Sequence, residues 1–421
     1  MARKLSDEEE QMAPPGFIPQ ANRQWSTTYH CELITPMVGG GVESWKRDDQ
    51  NLVRSQSVKG HLRFWWRTMQ SYATAAEMKA AEDELWGSTK IASPVRLNIA
   101  EISNLELLPL KRNEKNIRDF EKAGVPGYVL FPFQSPDSPE PAELVKKLSF
   151  KVEISCPEQF KVAVESSVIL WHLFGGLGAR TSRGCGSIFC DEMMQQFKTT
   201  EDVIAFLDKV KPEQYQSCQS PFPSLANCRF GAYTVSNHVD PIHEWCSYLK
   251  SYGDFRQKPE VGRNIGQGNR PGRSRWPEPD AIRRITKQHS GNHQPEHPAG
   301  NWFPRGAFGL PIQTEFKNAQ GDPTGTFTLK PANADRWPSP VILKVVKLGT
   351  GQIARICLIL NHKIPEKIVI DRQRTAIHLL AANELPLSFK GKTMPPNATM
   401  LKSGENPFDA LLRHLKLQEV K

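Results

Sequence analysis

The sequence predicts an α+β protein of two successive units with long loop insertions, and three observations carry that prediction. The 421 residues exceed one ordinary domain of about 100–200 residues, so two units, each burying its own core, are expected. Residues 22–192 alternate strand-like and helix-like patterns in the order of a ferredoxin-like sandwich. A polar, proline-bearing linker at 193–220 separates them from a second α+β unit at 221–421, and residues 1–21 read as a flexible leader.

In the first unit, Trp25 to Ile34 alternates as a strand and runs into the turn-rich TPMVGGG and a polar stretch without periodicity. Val58, Leu62, Trp65, Trp66 and Met69 then recur at i, i+4, i+7, i+8 and i+11, the stripe of an amphipathic helix with Ser57 as its N-cap. A second helical pattern covers Ala75 to Leu85, and a strand follows around Val95 to Ile102. Residues 105–150 are mixed and include QSPDSPEP, an exposed insertion; KVEIS reads as a strand, SSVILWHLF as a helix end and GSIFC as the last strand.

Beyond a helix at Thr200 to Val210 and the linker segment SCQSPFPSLANC, the second unit opens with a helix at Asp240, with Pro241 in its first turn and Ile242, Trp245, Leu249 and Tyr252 on one face. Residues 254–287 then form a Gly- and Pro-rich basic loop: Arg256, Lys258, Arg263, Arg270, Arg273, Arg275, Arg283, Arg284 and Lys287 against Asp254, Glu260, Glu278 and Asp280. Val341 to Leu348 and Gln352 to Leu360 flank Gly349-Thr350-Gly351 as a hairpin. Asn406-Pro407 starts a terminal helix with Phe408, Leu411, Leu412 and Leu415 inward.

Composition limits the function classes. Hydrophobic residues make 38% and charged residues 24% of the chain, above the disordered regime. Fifty-four Lys and Arg against 45 Asp and Glu give a net charge of +9, which favours polyanionic partners. No window of about 18 uncharged apolar residues exists to span a membrane, and the acidic, proline-bearing N-terminus lacks a signal-peptide core, so a cytoplasmic protein is expected. The eight cysteines never form CxxC and fit reduced thiols.

The most informative segment is GGLGARTSRGCGSIF, with five glycines between Gly175 and Gly186 around Arg180, Thr181, Ser182 and Arg183. Glycines permit close backbone approach, and two arginines flanking two hydroxyls supply donors suited to phosphates. The segment lacks the GK[ST] of a Walker loop and the third glycine of a dinucleotide fingerprint, so no nucleotide cofactor is expected. A helix C-cap with a tight turn would use the same glycines. On the first helix, Lys59, Arg63 and Arg67 recur at i, i+4 and i+8 as a basic edge that could follow successive phosphates or serve as an ordinary solvated face.

Taken together, the TPMVGGG turn, SVKGHLRFWWR, ELWGSTKIASPVRL and GGLGARTSRGCGS resemble the RAMP superfamily of CRISPR effector proteins. With RSRWPEPDAIR, FPRGAFGLPI and RWPSPVILKV they are similar to the family of subunit-one proteins of type III-B Cmr complexes, over roughly Leu33 to Val345. The resemblance implies tandem ferredoxin-like (RRM-like) RAMP domains in a non-catalytic RNA-binding subunit. It would cap the head of an antiviral ribonucleoprotein near the 3′ part of the CRISPR RNA, beside neighbouring RAMP subunits. Guide and target RNA would be held by backbone and shape while base pairing reads sequence. It implies RNA-binding roles for Lys59, Arg63, Arg67, Arg180, Thr181, Ser182 and Arg183. In the second unit it extends them to Arg263, Arg270, Arg273, Arg275, Arg283 and Arg305. Arg275 and Arg336, each followed by Trp, could instead be stacked internally.

Two rival chemistries have candidates. Relatives in the superfamily cleave RNA through a histidine without metal, or through an aspartate after the first strand; His30, His61, Asp48 and Asp49 stand at comparable places. A metal-independent endoribonuclease is therefore the alternative to a non-catalytic subunit. His289, His293 and His297 share a four-residue spacing that one metal could use on a helix, but Gly291, Pro295 and Pro298 interrupt such a helix, so no metal is expected.

Overall fold

The computed structural model describes residues 24–41, 47–110, 126–130, 142–213, 222–235, 239–266, 268, 272–316, 320–372, 375–381, 400–402 and 404–420. The leader, the QSPDSPEP segment and Arg270 lie outside the described residues.

The first repeat runs β1 (Gln24–Leu33), α1 (Ser55–Thr68), α2 (Ala75–Trp86), β2 (Arg96–Leu110), β3 (Ala142–Pro157), α3 (Lys161–Phe174) and β4 (Ile188–Cys190). Its antiparallel sheet has the order β2-β3-β1-β4. Helix α4 (Thr200–Val210) follows. The second repeat comprises β5 (Ser224–Val235), α5 (Pro241–Gln257), β8 (Val341–Lys347), β9 (Ile353–Asn361), α7 (Pro407–His414) and β12 (Gln418–Val420), in the order β12-β5-β9-β8. Both sheets place the fourth strand of βαββαβ beside the first, and the third between the first and second. That is the ferredoxin-like arrangement, so the α+β class expected from the sequence holds.

Two segments depart from the sequence reading. Residues 278–286, expected as part of a loop, form helix α6 (Glu278–Thr286), and α5 runs on to Gln257. The PEPD segment carries the reason: a proline in the first turn, with Glu278 and Asp280 at the positive end of the helix dipole. Segments before β8 and after β9 together build a third antiparallel sheet that sequence patterning missed. It consists of β6 (Ile312–Glu315), β7 (Thr326–Pro331), β10 (Lys367–Arg372) and β11 (Thr375–Ala381), in the order β11-β10-β7-β6. Ile282 of α6 packs on it with Phe303, Phe327, Leu329, Trp337, Ile368 and Ile370. A smaller difference lies at α1, which starts at Ser55 with Arg54 in the capping position; Arg54 Nη2 donates to Gly40 O at 2.6 Å.

The repeats stack as four layers. On β1, Tyr29, Cys31 and Leu33 face inward against α1 and α3, while His30 and Glu32 face outward. The opposite side of those helices meets the second sheet, where Phe230, Ala232, Ile342, Val346, Ile356 and Leu358 join the same core. Phe174 bridges the layers, 5.9 Å from the Trp65 ring and 6.1 Å from Phe230. The far face of the second sheet is covered by Trp245, Tyr248, Leu249 and Tyr252 of α5 and by Leu411 and Leu412 of α7. Among the described residues, no helix is long and apolar enough to cross a membrane.

One cation lies inside the joint. Lys344 on β8 is fully buried, donates to His172 O of α3, and is pushed by burial down to about 7. Its folded pKa lies below the ordinary 10.5, so the unfolded chain takes up the extra proton. This lysine therefore lowers stability as pH falls from 10.5 toward 7, with no further change below. Urea midpoints of Lys344→Met are expected to gain on those of the native chain as pH falls through that window. An unchanging gap would show that the amine is not desolvated.

Candidate functional site

The glycine-rich loop is the seam between the repeats. Helix α3 ends at Phe174, and residues 175–187 fold back on the TPMVGGG turn, so the two motifs singled out in the sequence are hydrogen-bonded together. Ala179 N donates to Val38 O at 2.8 Å, Gly186 N to Pro36 O at 2.9 Å and Thr35 Oγ1 to Gly184 O at 2.6 Å. Two glycines are obligatory. Gly178 (φ 75°) would place a Cβ 2.5 Å from Val38 O, and Gly186 (φ 63°) would place one 2.1 Å from Leu177 O.

Within this frame Arg180 takes the left-handed conformation (φ 61°), and Thr181–Arg183 form one 3₁₀ turn. The four candidates then divide. Arg183 is buried and works internally: Nη1 donates to Val341 O at 2.6 Å and Nη2 to Ser339 Oγ at 3.0 Å, while its carbonyl accepts from Trp245 Nε1 at 2.8 Å. It fastens the loop to the second repeat. Arg180, Thr181 and Ser182 are half-buried, and the two hydroxyls make no hydrogen bond among the described residues.

The basic edge of α1 is also engaged. Arg63 Nε and Arg67 Nη2 reach Glu82 Oε1 of α2 at 2.7 and 3.0 Å, Arg67 lies over the Phe222 ring, and Lys59 Nζ donates to Val95 O at 3.3 Å. Glu82, whose side chain is only 5% exposed, is the partner the sequence reading missed. Its position on α2, at the i+7 spacing from Ala75, was readable, but its facing of α1 was not.

Three of the insertion's arginines are neutralised in place. Arg305 pairs with Glu278 at 3.0 Å; Arg283 pairs with Asp280 at 3.0 Å and Asp322 at 2.9 Å; Arg273 pairs with Asp280 and Glu296 at 3.1 and 3.0 Å. Arg275 donates to Glu260 O and Asn264 Oδ1. Arg263 is half-buried, with no carboxylate partner among the described residues. Where it is described, the expected basic loop is thus held partly by carboxylates of neighbouring segments and partly by helix α6. The histidines diverge: His293 Nδ1 meets Asp322 Oδ2 at 2.6 Å, His297 Nε2 meets Arg275 O, and His289 Nδ1 meets Ser290 O. Among the described residues, no three His, Cys, Asp or Glu gather as a metal site.

A second surface is the outward face of the first sheet, where a groove of about 330 Å³ is lined by His30, Glu32, Glu101, Lys151, Phe189 and Asp191, among others. His30 Nδ1 lies 2.5 Å from Glu192 Oε1, with both side chains about half exposed. Burial alone would raise the Glu192 carboxyl. Hydrogen bonds from Cys190 Sγ, its own backbone and His30 outweigh that and lower it. His61, the other histidine candidate, is half-buried on α1, and its pKa is lowered by burial. Asp48 accepts from the backbone N–H groups of Gln50 and Asn51, and Asp49 pairs with Arg47.

The ferredoxin-like repeat with its glycine-rich return loop now meets its sequence counterpart. Residues 30–189, from β1 through β4, match the RAMP superfamily, and the family resemblance expected from the sequence is borne out over this segment. A curated relative is the CRISPR system Cmr subunit Cmr1-1 of Pyrococcus furiosus, 29% identical over 150 residues; these are 32% of this chain and 40% of that protein. The chain thus spans less than half the length of the curated relative it matches. Among solved structures, the crystal structure of apo Cmr1 from Pyrococcus furiosus is similar at 18% identity and a TM-score of 0.47, over 86% of this chain and 94% of that one. The cryo-EM structure of Type III-B Cmr-beta bound to cognate target RNA is similar at 11% identity and a TM-score of 0.45, over 79% and 94%.

Asp322 offers a test of the insertion's internal neutralisation. Burial alone would raise its carboxyl, but hydrogen bonds from Arg283, the Ser290 N–H and His293 bring it down to about 2. Its contribution is therefore complete above the ordinary aspartate value of 3.8 and is lost as pH falls toward 2. Urea midpoints of the native chain and Asp322→Asn should converge as acidity increases through that window; a constant separation would contradict the pairing.

Proposed function

We propose that this protein is a non-catalytic RNA-binding RAMP subunit of a type III-B CRISPR Cmr effector complex. In that role it caps the head near the 3′ part of the CRISPR RNA, contacts guide and target RNA through their backbones, and packs against neighbouring RAMP subunits. The observation that carries this reading is the glycine-rich loop, held against the TPMVGGG turn inside the segment that matches the RAMP superfamily. That loop presents Arg180, Thr181 and Ser182 with polar groups not consumed by the fold. The curated relative is a Cmr subunit, which supports the assignment to that complex.

Donors of this kind suit a polyanion whose sequence is read by base pairing, because guanidinium and hydroxyl groups grip phosphates without discriminating bases. Arg63, Arg67 and Lys59 can join the path from their exposed sides. Arg273, Arg275 and Arg263 form a lesser set, whereas Arg283 and Arg305 hold the insertion together.

Fluorescence anisotropy with a labelled single-stranded RNA of about 40 nucleotides, at several salt concentrations, tests the reading. Binding that weakens steeply with salt is expected; no binding at low salt overturns it. Each phosphate contact removed lowers the slope of log K against log salt by about 0.7. Arg63→Ala with Arg67→Ala should therefore flatten it, with Glu82→Gln added so that no buried carboxylate is left unpaired. An unchanged slope removes α1 from the RNA path.

A second reading, RNA cleavage, is favoured by His30, which lines the sheet-face groove with Lys151 and pairs with Glu192. Denaturing gels of the same samples decide: intact RNA is the expected result, and cleavage abolished by His30→Ala would make this protein a nuclease.

A further inference from the structure

Many arginines of the described residues are ion-paired. Arg63, Arg67, Arg229, Arg273, Arg283, Arg305, Arg355 and Arg413 each have a carboxylate within ion-pairing distance. Arg180, Arg183 and Arg256 have none among the described residues, although they converge on one place.

That place is the ring of Tyr252, fully buried on α5. Arg183 lies over it at 5.1 Å from the centroid, and Arg256 lies at 5.9 Å and donates from Nη1 to its hydroxyl at 3.1 Å. Tyr128, on the one-turn helix Gly127–Leu130, stands edge-on at 5.4 Å and is 36% exposed, so the cluster reaches the surface there. Arg180 enters from the glycine-rich loop with its Nε buried and without a hydrogen-bond partner. Burial alone would raise the Tyr252 phenol; the charges of Arg183 and Arg256 outweigh it and lower it.

Three cations crowded in a half-buried place repel one another, the nearest carboxylate, Glu278, is already paired with Arg305, and Arg180 lacks the hydrogen bonds that a desolvated guanidinium needs. Arg180 and Arg256 retain donors that fit tetrahedral oxyanions, and Tyr128 adds a phenolic hydroxyl at the rim. A phosphate supplies both the missing charge and the missing acceptors. The aromatic rings fix the guanidinium planes, so less order is lost on binding.

We propose that Arg180, Arg256 and Tyr128, over the floor formed by Tyr252 and Arg183, form a seat for one phosphate group, shared between the glycine-rich loop and the second repeat. The proposal rests on the RNA-binding reading of the loop and extends it across the seam, making Arg256 and Tyr128 phosphate-binding residues. A seat of this chemistry accepts either an RNA phosphodiester or a free phosphate.

The test uses the full chain with Arg180→Gln, Arg256→Lys and Tyr128→Phe, each checked for an unchanged circular-dichroism melt in chloride. In RNA anisotropy, Arg180→Gln should weaken binding about fivefold or more and lower the salt slope by about 0.7. Arg256→Lys, which keeps the charge but loses the fork, should weaken binding with little change of slope. Tyr128→Phe should cost about two- to threefold. If native binding is salt-sensitive and all three variants match it within twofold, the seat is wrong while the RNA reading stands. If the native chain binds no RNA, the RNA reading fails, and inorganic phosphate decides the seat. A melting temperature raised by about 10 mM phosphate over chloride at equal ionic strength, and not raised in Arg180→Gln, supports a free-phosphate site. No such rise overturns the seat.

Discussion

Helix α3 is the constraint from which the architecture follows. From Ser167 to Phe174 every residue is buried, so this helix has no solvent face over its last two turns. A helix apolar all round must be covered on opposite sides. One ferredoxin-like sheet covers one side only, and the second repeat supplies the other through Phe230, Ile342 and Val346. The result is a sheet, a helix layer, a second sheet and a second helix layer, with one core shared by both repeats.

This arrangement determines which surfaces remain for recognition. In a free-standing ferredoxin-like domain the sheet face opposite the helices is open. Here the second sheet uses that face for packing, and only the first sheet keeps an outward face, with its His30 groove. The seam itself is closed by the glycine-rich loop, whose backbone binds the first repeat and whose Arg183 binds the second. Charge follows the same logic. Arg273, Arg283 and Arg305 of the insertion are matched to acids within it, whereas Arg183 and Arg256, with no ion-pair partner among the described residues, gather on the Tyr252 ring where the two repeats meet.

Much of the fold was legible because its signals are local. The stripe from Val58 to Trp66, the Asp240-Pro241 and Asn406-Pro407 helix starts, and the Gly-Thr-Gly hairpin each appear close to where patterning puts them. The third sheet was not legible, because its strands are short and β7 and β10 pair across some forty residues of intervening chain. The site was half legible. Glycine spacing and the neighbouring arginines marked the loop, but sequence cannot distinguish an arginine facing a carboxylate from one facing nothing. Glu82 against Arg63 and Arg67, and Asp322 against Arg283, are tertiary facts joining segments 15 to 39 residues apart. Tyr128 carried no motif, and Arg256 counted only as one charge of the basic segment; both become notable through their approach to Tyr252.

The shared core has a mechanical consequence. Two domains joined by a tether can hinge to follow a curved ligand, at little cost beyond reorienting the tether. Here a hinge would have to pry Phe174 from Phe230 and expose Lys344 and His172 to water, so the two repeats move as one block. Accommodation to any ligand then falls to side-chain rotation at the rim. The distance between the outward sheet face and the seam is fixed by the fold, giving the molecule the character of a gauge rather than a clamp.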